Sequence, residues 1–136
     1  YEVINLNLLV IMSHQLSDIQ TKEAKNILKV DCIKMLPLEL QQIWSSIEPK
    51  GELPIDMLMP IKKWISKESS EQDYVLIQGD FGATFYLVDY CFNIKRVPIY
   101  ATSIRQVEEK VENNVTITNR IFKHVNFRKY VRDVYK

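Results

Sequence analysis

The residues Gly79-Asp80-Phe81-Gly82-Ala83-Thr84 stand between an apolar run, Tyr74 to Gln78, and an apolar helical pattern that begins near Ala83. A strand that ends in a glycine-rich turn and opens a helix aims unpaired backbone N–H groups, and the positive end of the helix dipole, at one point. A phosphate belongs at such a point. The glycines allow close backbone approach, and Thr84 adds a hydroxyl in the first helical turn. The same turn can also serve geometry alone.

Other residues offer chemistry nearby in the pattern. His14 follows the first apolar run, within Ser13-His14-Gln15, where an imidazole can act as acid or base near neutral pH or simply hydrogen-bond the next turn. Asp80 can orient a ribose hydroxyl or form an Asx turn. Arg105 follows Thr102-Ser103, and its guanidinium matches a phosphate in bidentate fashion; its plainer role is a helical ion pair with Glu109. Arg128 and Lys129, set between Phe127 and Tyr130, can stack on a base and hold a phosphate, although core packing explains the aromatics equally well.

The elements that must position these groups alternate. Val3 to Met12 reads as a strand, and a helix follows from Ser17, with Gln20 completing a Ser-x-x-Gln capping box. Val30 to Leu36 reads as a second strand. Helices are predicted over Leu38 to Ile47 and Ile55 to Lys67, with Pro60 a kink or a new first turn; the two can also be read as one broken element. Tyr74 to Gln78 is a third strand and Ala83 to Ile94 a helix, apolar around most of its circumference. Val97 to Ala101 is a fourth strand, with a helix predicted at Ile104 to Glu112. After an Asn113-Asn114 turn, strand periodicity runs from Val115 to about Val125, and Phe127 to Val134 reads as a short closing helix. Such alternation implies an α/β fold: one Rossmann-like domain over residues 1–136, its mostly parallel sheet flanked by helices on both faces. Ligands of such sheets sit beyond the carboxyl ends of the strands. Those ends are Ser13-His14-Gln15, Gln78-Gly79-Asp80 and Thr102-Ser103.

Bulk properties narrow the class. At 136 residues and 46% hydrophobic content the chain can fill one core but not two. No apolar run reaches the roughly 18 residues of a membrane span, and Tyr1-Glu2 does not begin a secretory leader, so a cytoplasmic protein is expected. Cys32 and Cys91 lie in apolar segments as free thiols, and no Cys-x-x-Cys or His-x-x-His spacing prepares a metal corner. No metal and no cofactor are expected. Residues 120–136 carry six basic side chains against Asp133 alone, a basic end suited to an anionic ligand or to a solvated face.

Taken together, Ser13 to Ser17, Asp73 to Thr84, Pro98 to Thr102 and His124 to Tyr130 resemble the small stand-alone CRISPR-associated proteins of type III systems, whose Rossmann-like fold is related to cyclic-oligoadenylate sensing domains. The resemblance spans nearly the whole chain, and its most specific piece is the glycine run preceded by Ile77-Gln78. It implies a ring nuclease: a homodimer that binds cyclic oligoadenylate across its two-fold axis and linearises it by metal-independent attack of a ribose 2′-hydroxyl, switching off antiviral signalling. Membranes and long nucleic acids are not among the implied partners. From the residues' own chemistry and place at the strand ends, His14, Ser13 and Arg105 are the candidate catalytic groups. The ring would be held by Gln15, Gln78, Gly79, Asp80, Phe81, Gly82, Ala83, Thr84, Thr102, Ser103 and Arg128. A module that sequesters the messenger without cutting it is the alternative. An ordinary mononucleotide-binding protein fits less well, because no GxGxxG follows the first strand and no acidic residue ends the second.

Overall fold

A computed structural model describes residues 5–133. The elements run β1 (Asn7–Ile11), α1 (Asp18–Asn26), β2 (Cys32–Met35), α2 (Leu38–Ser45), α3 (Ile55–Glu68), β3 (Tyr74–Ile77), α4 (Phe81–Asn93), β4 (Val97–Glu112) and β5 (Val115–Lys129). The strands form one sheet in the order β2-β1-β3-β4-β5. The first four are parallel and β5 is antiparallel to β4. The α/β class and the mostly parallel sheet are as the alternation predicts.

Side-chain alternation along the buried strands divides the core into two layers. Leu9, Ile11, Val75 and Ile77 pack under α2, α3 and α4 with Trp44, Leu58, Ile61, Ile65, Leu87 and Cys91. Leu8, Val10, Leu76, Ile99 and Phe127 point the other way, where Ala24 of α1 meets them. The crossover from β1 to β2 and the crossovers around β3 thus lie on opposite faces, as right-handed connections require when the strand order reverses. The reversal sits between β1 and β3.

Local signals explain the helix boundaries. Ser17 caps α1, with its hydroxyl accepting from Gln20 N at 3.2 Å and its own N–H donating to Gln20 Oε1 at 3.0 Å, the capping box read from the sequence. Helix α4 begins at Phe81, two residues earlier than predicted, because the Asp80 carboxylate accepts the Ala83 N–H at 3.0 Å and acts as its N-cap. Helix α3 continues through Pro60, and residues 46–54 separate it from α2 as an independent element. At the carboxyl end of α3, Arg96 donates to the carbonyls of Ser66 and Ser69. Buried Asp73, at the opposite edge of the sheet from the strand carboxyl ends, accepts from Asn7 N, Asn7 Nδ2 and Ser70 N within 3.0 Å.

Two predicted helices are absent. Ile104 to Glu112 is the second half of β4, and the chain from Phe127 extends β5 to Lys129, with no helix over residues 130–133; Val134 lies outside the described residues. Asn113 and Asn114 both take positive φ, 51° and 62°, the signature of a type I′ turn. That turn joins β4 and β5 into a ribbon paired from Ile99↔Lys129 to Glu112↔Val115, broken only by a shift between Thr102 and Ser103. Strand β3 pairs with β4 only as far as Ile99. The ribbon beyond Ser103, about 33 Å for ten residues, is therefore an arm that projects past the carboxyl edge of the sheet. In this extended chain Arg105 and Glu109 stand about 13 Å apart, so the helical ion pair does not form.

Candidate functional site

The glycine turn is committed to the fold at several points. A Cβ on Gly79 would come within 2.8 Å of the Trp44 ring, so this glycine lets α2 close on β3. Gln78 is bonded on three sides. Its N–H donates to Ile11 O at 3.0 Å, its carbonyl accepts from Trp44 Nε1 at 2.9 Å, and its side-chain oxygen accepts from Ala101 N at 2.8 Å. Asp80 takes the Ala83 N–H, supplying from within the chain a negative charge at the helix N-terminus. Gly82 is less crowded, a Cβ there making ordinary contacts with Leu53 Cδ1 and Asp80 Oδ2 at 3.5 and 3.6 Å. Ala83 is buried.

The remaining residues of this turn face an apolar groove of about 340 Å³ between α4 and Tyr130-Val131-Arg132. Phe81 and Phe85 stand on its rim, 94% and 76% exposed, and the Thr84 hydroxyl is buried there with no hydrogen-bond partner among the described residues. The Tyr130 hydroxyl donates to Ile77 O at 2.7 Å. Burial, and then the neighbouring Tyr100, push its pKa up to about 12.

Two larger clefts, with mixed polar and apolar linings, lie around His14. One cleft of about 720 Å³ opens between α1 and α2 beyond the ends of β1 and β2, lined by Ser13, His14, Gln15, Thr21 and Gln41 among others. Ser13 accepts there from the Ser45 hydroxyl at 3.3 Å. A second cleft of about 640 Å³ lies between α1 and the root of the arm, and His14 lines it too, together with Ser17, Ser103, Lys123, His124, the acidic Glu108 and apolar side chains such as Ile121 and Phe122. His14 is therefore exposed to both clefts, while Ser13 and Gln15 line the first alone, at the carboxyl edge of the sheet where doubly wound sheets bind ligands.

His124 and Glu23 carry no motif, and sequence reasoning passed over their pairing. The His124 Nε2 lies 2.6 Å from Glu23 Oε1, both side chains being largely buried, and the other Glu23 oxygen accepts the Phe127 N–H at 2.6 Å. On the far side of the ring, Gln20 Nε2 is 3.5 Å from Nδ1. Since Gln20 Nε2 can only donate, the consistent tautomer carries its proton on Nε2, directed at Glu23. A run of contacts thus passes from the Ser17 cap through Gln20 and His124 to Glu23, and it fastens the arm to α1. A one-residue irregularity beside Ser103 turns the arm so that His124 faces inward.

The other predicted residues are dispersed. Thr102 is held by Asn126, its Oγ1 donating toward Oδ1 and the carbonyl at 2.9 and 3.0 Å. Arg105 is exposed on the arm opposite Phe122, away from the strand ends. Arg128 lies over the Tyr100 ring, its guanidinium carbon 5.9 Å from the centroid, at the root of β5. Among the described residues no group of three or more His, Cys, Asp or Glu gathers as a metal site would require. No helix is long and apolar enough to cross a membrane, among the same residues.

Comparison with known proteins places this architecture in a lineage. No solved structure matches the chain. Over 121 residues it is 43% identical to "Uncharacterized protein MJ1673" of Methanocaldococcus jannaschii, an alignment covering 89% of this chain and 94% of that relative. The family described as "Uncharacterized protein MJ1673 family" matches residues 6–128, from the start of β1 through the whole arm, and the chain belongs to that family.

Proposed function

We propose that the protein is a ring nuclease of type III CRISPR defence, which binds cyclic oligoadenylate, most favourably cyclic tetra-adenylate, as a cytoplasmic homodimer and linearises it without a metal. The observation that carries this reading is the 640 Å³ cleft lined by both histidines of the chain, with Lys123, Ser17 and Ser103 around them. Cleavage of a ribonucleotide ring by its own 2′-hydroxyl needs a proton removed from that hydroxyl as O2′ bonds to phosphorus. A proton must also reach O5′ as the P–O5′ bond breaks, leaving a 2′,3′-cyclic phosphate and a 5′-hydroxyl. His14, exposed on the divide between the clefts, is the group available for proton transfer. Lys123 supplies charge to the phosphoryl oxygens and Ser103 offers a donor to phosphate and ribose in this cleft, with Ser13 and Gln15 offering theirs from the adjoining cleft across His14. Incubation with cyclic tetra- and hexa-adenylate in chelator, followed by chromatography, should yield linear products ending in a cyclic phosphate. His14→Ala should slow cleavage by about 10²-fold or more with the fold retained. Rings that survive excess protein would remove the enzymatic reading.

A second reading, sequestration without cleavage, draws on the engagement of His124. Both of its ring nitrogens face partners inside the protein, which leaves one free imidazole where acid–base chemistry uses two groups. Calorimetry would then show saturable binding with the ring recovered intact.

A further inference from the structure

The arm formed by residues 103–124 has two open edges, and the sequence treats them differently. Along Arg105 to Glu112 of β4, five of eight residues are charged, the usual protection of an unpaired strand against edge-to-edge association. Along Val115 to Phe122 of β5, Arg120 is the single charged residue, and Val115, Thr116, Ile117, Thr118 and Ile121 are β-branched. That segment has no proline and no glycine, the composition of a strand that pairs. The faces of the ribbon leave Val107, Val111, Val115 and Phe122 more than half exposed. A two-stranded ribbon of this length is marginal in water by itself.

We infer that the β5 edge is a self-association surface, on which a second copy of this chain adds its own β5 antiparallel across a two-fold axis. The pairing follows from hairpin geometry. A two-residue turn makes Glu112↔Val115 a hydrogen-bonded pair, so bonded pairs recur at Lys110↔Ile117 and Glu108↔Asn119. The N–H groups of Thr116, Thr118, Arg120 and Phe122 therefore point away from β4, toward the open edge. An isologous pairing centred on Asn119 joins these groups to one another: Thr118 of each copy faces Arg120 of the other, and Thr116 faces Phe122. The same register sets Ile117 against Ile121 on both sides of the axis, and no like charges are directly opposed, the two Arg120 side chains lying diagonally across it. The segment is thus complementary to itself, which is what a two-fold interface requires and an unrelated strand would not need.

Sedimentation velocity on the full chain tests this without reference to any ligand. The parent should be a dimer. Thr118→Pro, which removes an N–H that β4 does not use, should be monomeric with an unchanged circular dichroism spectrum. As a second probe, Thr118→Lys places a cation opposite Arg120 twice per dimer and should raise the dissociation constant roughly tenfold or more, whereas Thr118→Glu should lower it. A monomeric parent, a Thr118→Lys variant that dimerises as tightly as the parent, or dissociation caused instead by Phe81→Ser with Phe85→Ser on α4 would overturn the inference. Ring cleavage is a separate readout, so a dimer that the Thr118 variants dissociate but that cleaves no ring supports this interface while removing the enzymatic reading.

Discussion

Two glycines three residues apart do different work. Gly79 lies against the Trp44 ring, and a Cβ there would displace a side chain that is itself bonded to Gln78. Gly79→Ala should therefore cost about 1–3 kcal/mol in denaturant unfolding. At Gly82, in the first turn of α4, a Cβ would make only ordinary van der Waals contact with Leu53 and Asp80, and Gly82→Ala should be neutral or stabilising by up to about 1 kcal/mol, since alanine loses less entropy in a helix. Tyr130 gives a second residue-level test. Its pKa is pushed from 10 up to about 12, so the folded state favours the protonated phenol. The stability this contributes is complete below pH 10 and is lost as pH rises from there through about 12. In an alkaline titration followed by ultraviolet absorbance of the tyrosinates, the phase with the highest pKa should disappear in Tyr130→Phe.

At the scale of elements the arm is the feature that the residue pattern misled. Val107 and Val111, or Arg105 and Glu109, are four apart, a spacing that fits one face of a helix and, being even, one face of a strand equally well. Glu108, Glu109 and Lys110 favour a helix locally, yet β5 supplies fourteen paired positions along β4, and the nonlocal ladder prevails. The Asn-Asn turn was legible because asparagine tolerates the positive φ that a type I′ turn demands. Asn114→Gly should strengthen it, glycine being the favoured second residue of such turns. Slower amide hydrogen exchange at Lys110 and Ile117, without change in the sheet core, is the expected result.

For the whole molecule, the core and the arm are separable in energetic terms. Every buried hydrophobic residue lies outside 103–124, and the arm is tied back through the contact of His124 with Glu23. A variant in which a short Asn-Gly turn joins Thr102 to Asn126 should still unfold cooperatively, because both core layers remain filled. It should lose the 640 Å³ cleft and any ring binding that depends on it. Differential scanning calorimetry and calorimetric ring titration read the two outcomes independently.

The sequence by itself determined the alternation of strands and helices as far as the fourth strand, the α1 capping box, the Asn113-Asn114 turn and the polar character of the strand ends, all properties of neighbours along the chain. The placement of His14 at the carboxyl edge of the sheet follows from these. Only the tertiary structure decided that Ile104 to Glu112 is a strand, since its partner lies beyond the turn. It also decided that Gly79 serves Trp44, thirty-five positions earlier, and that His124 meets Glu23 across 101 residues. Contacts of that span depend on how layers close upon one another, and no local spacing of residue types encodes them.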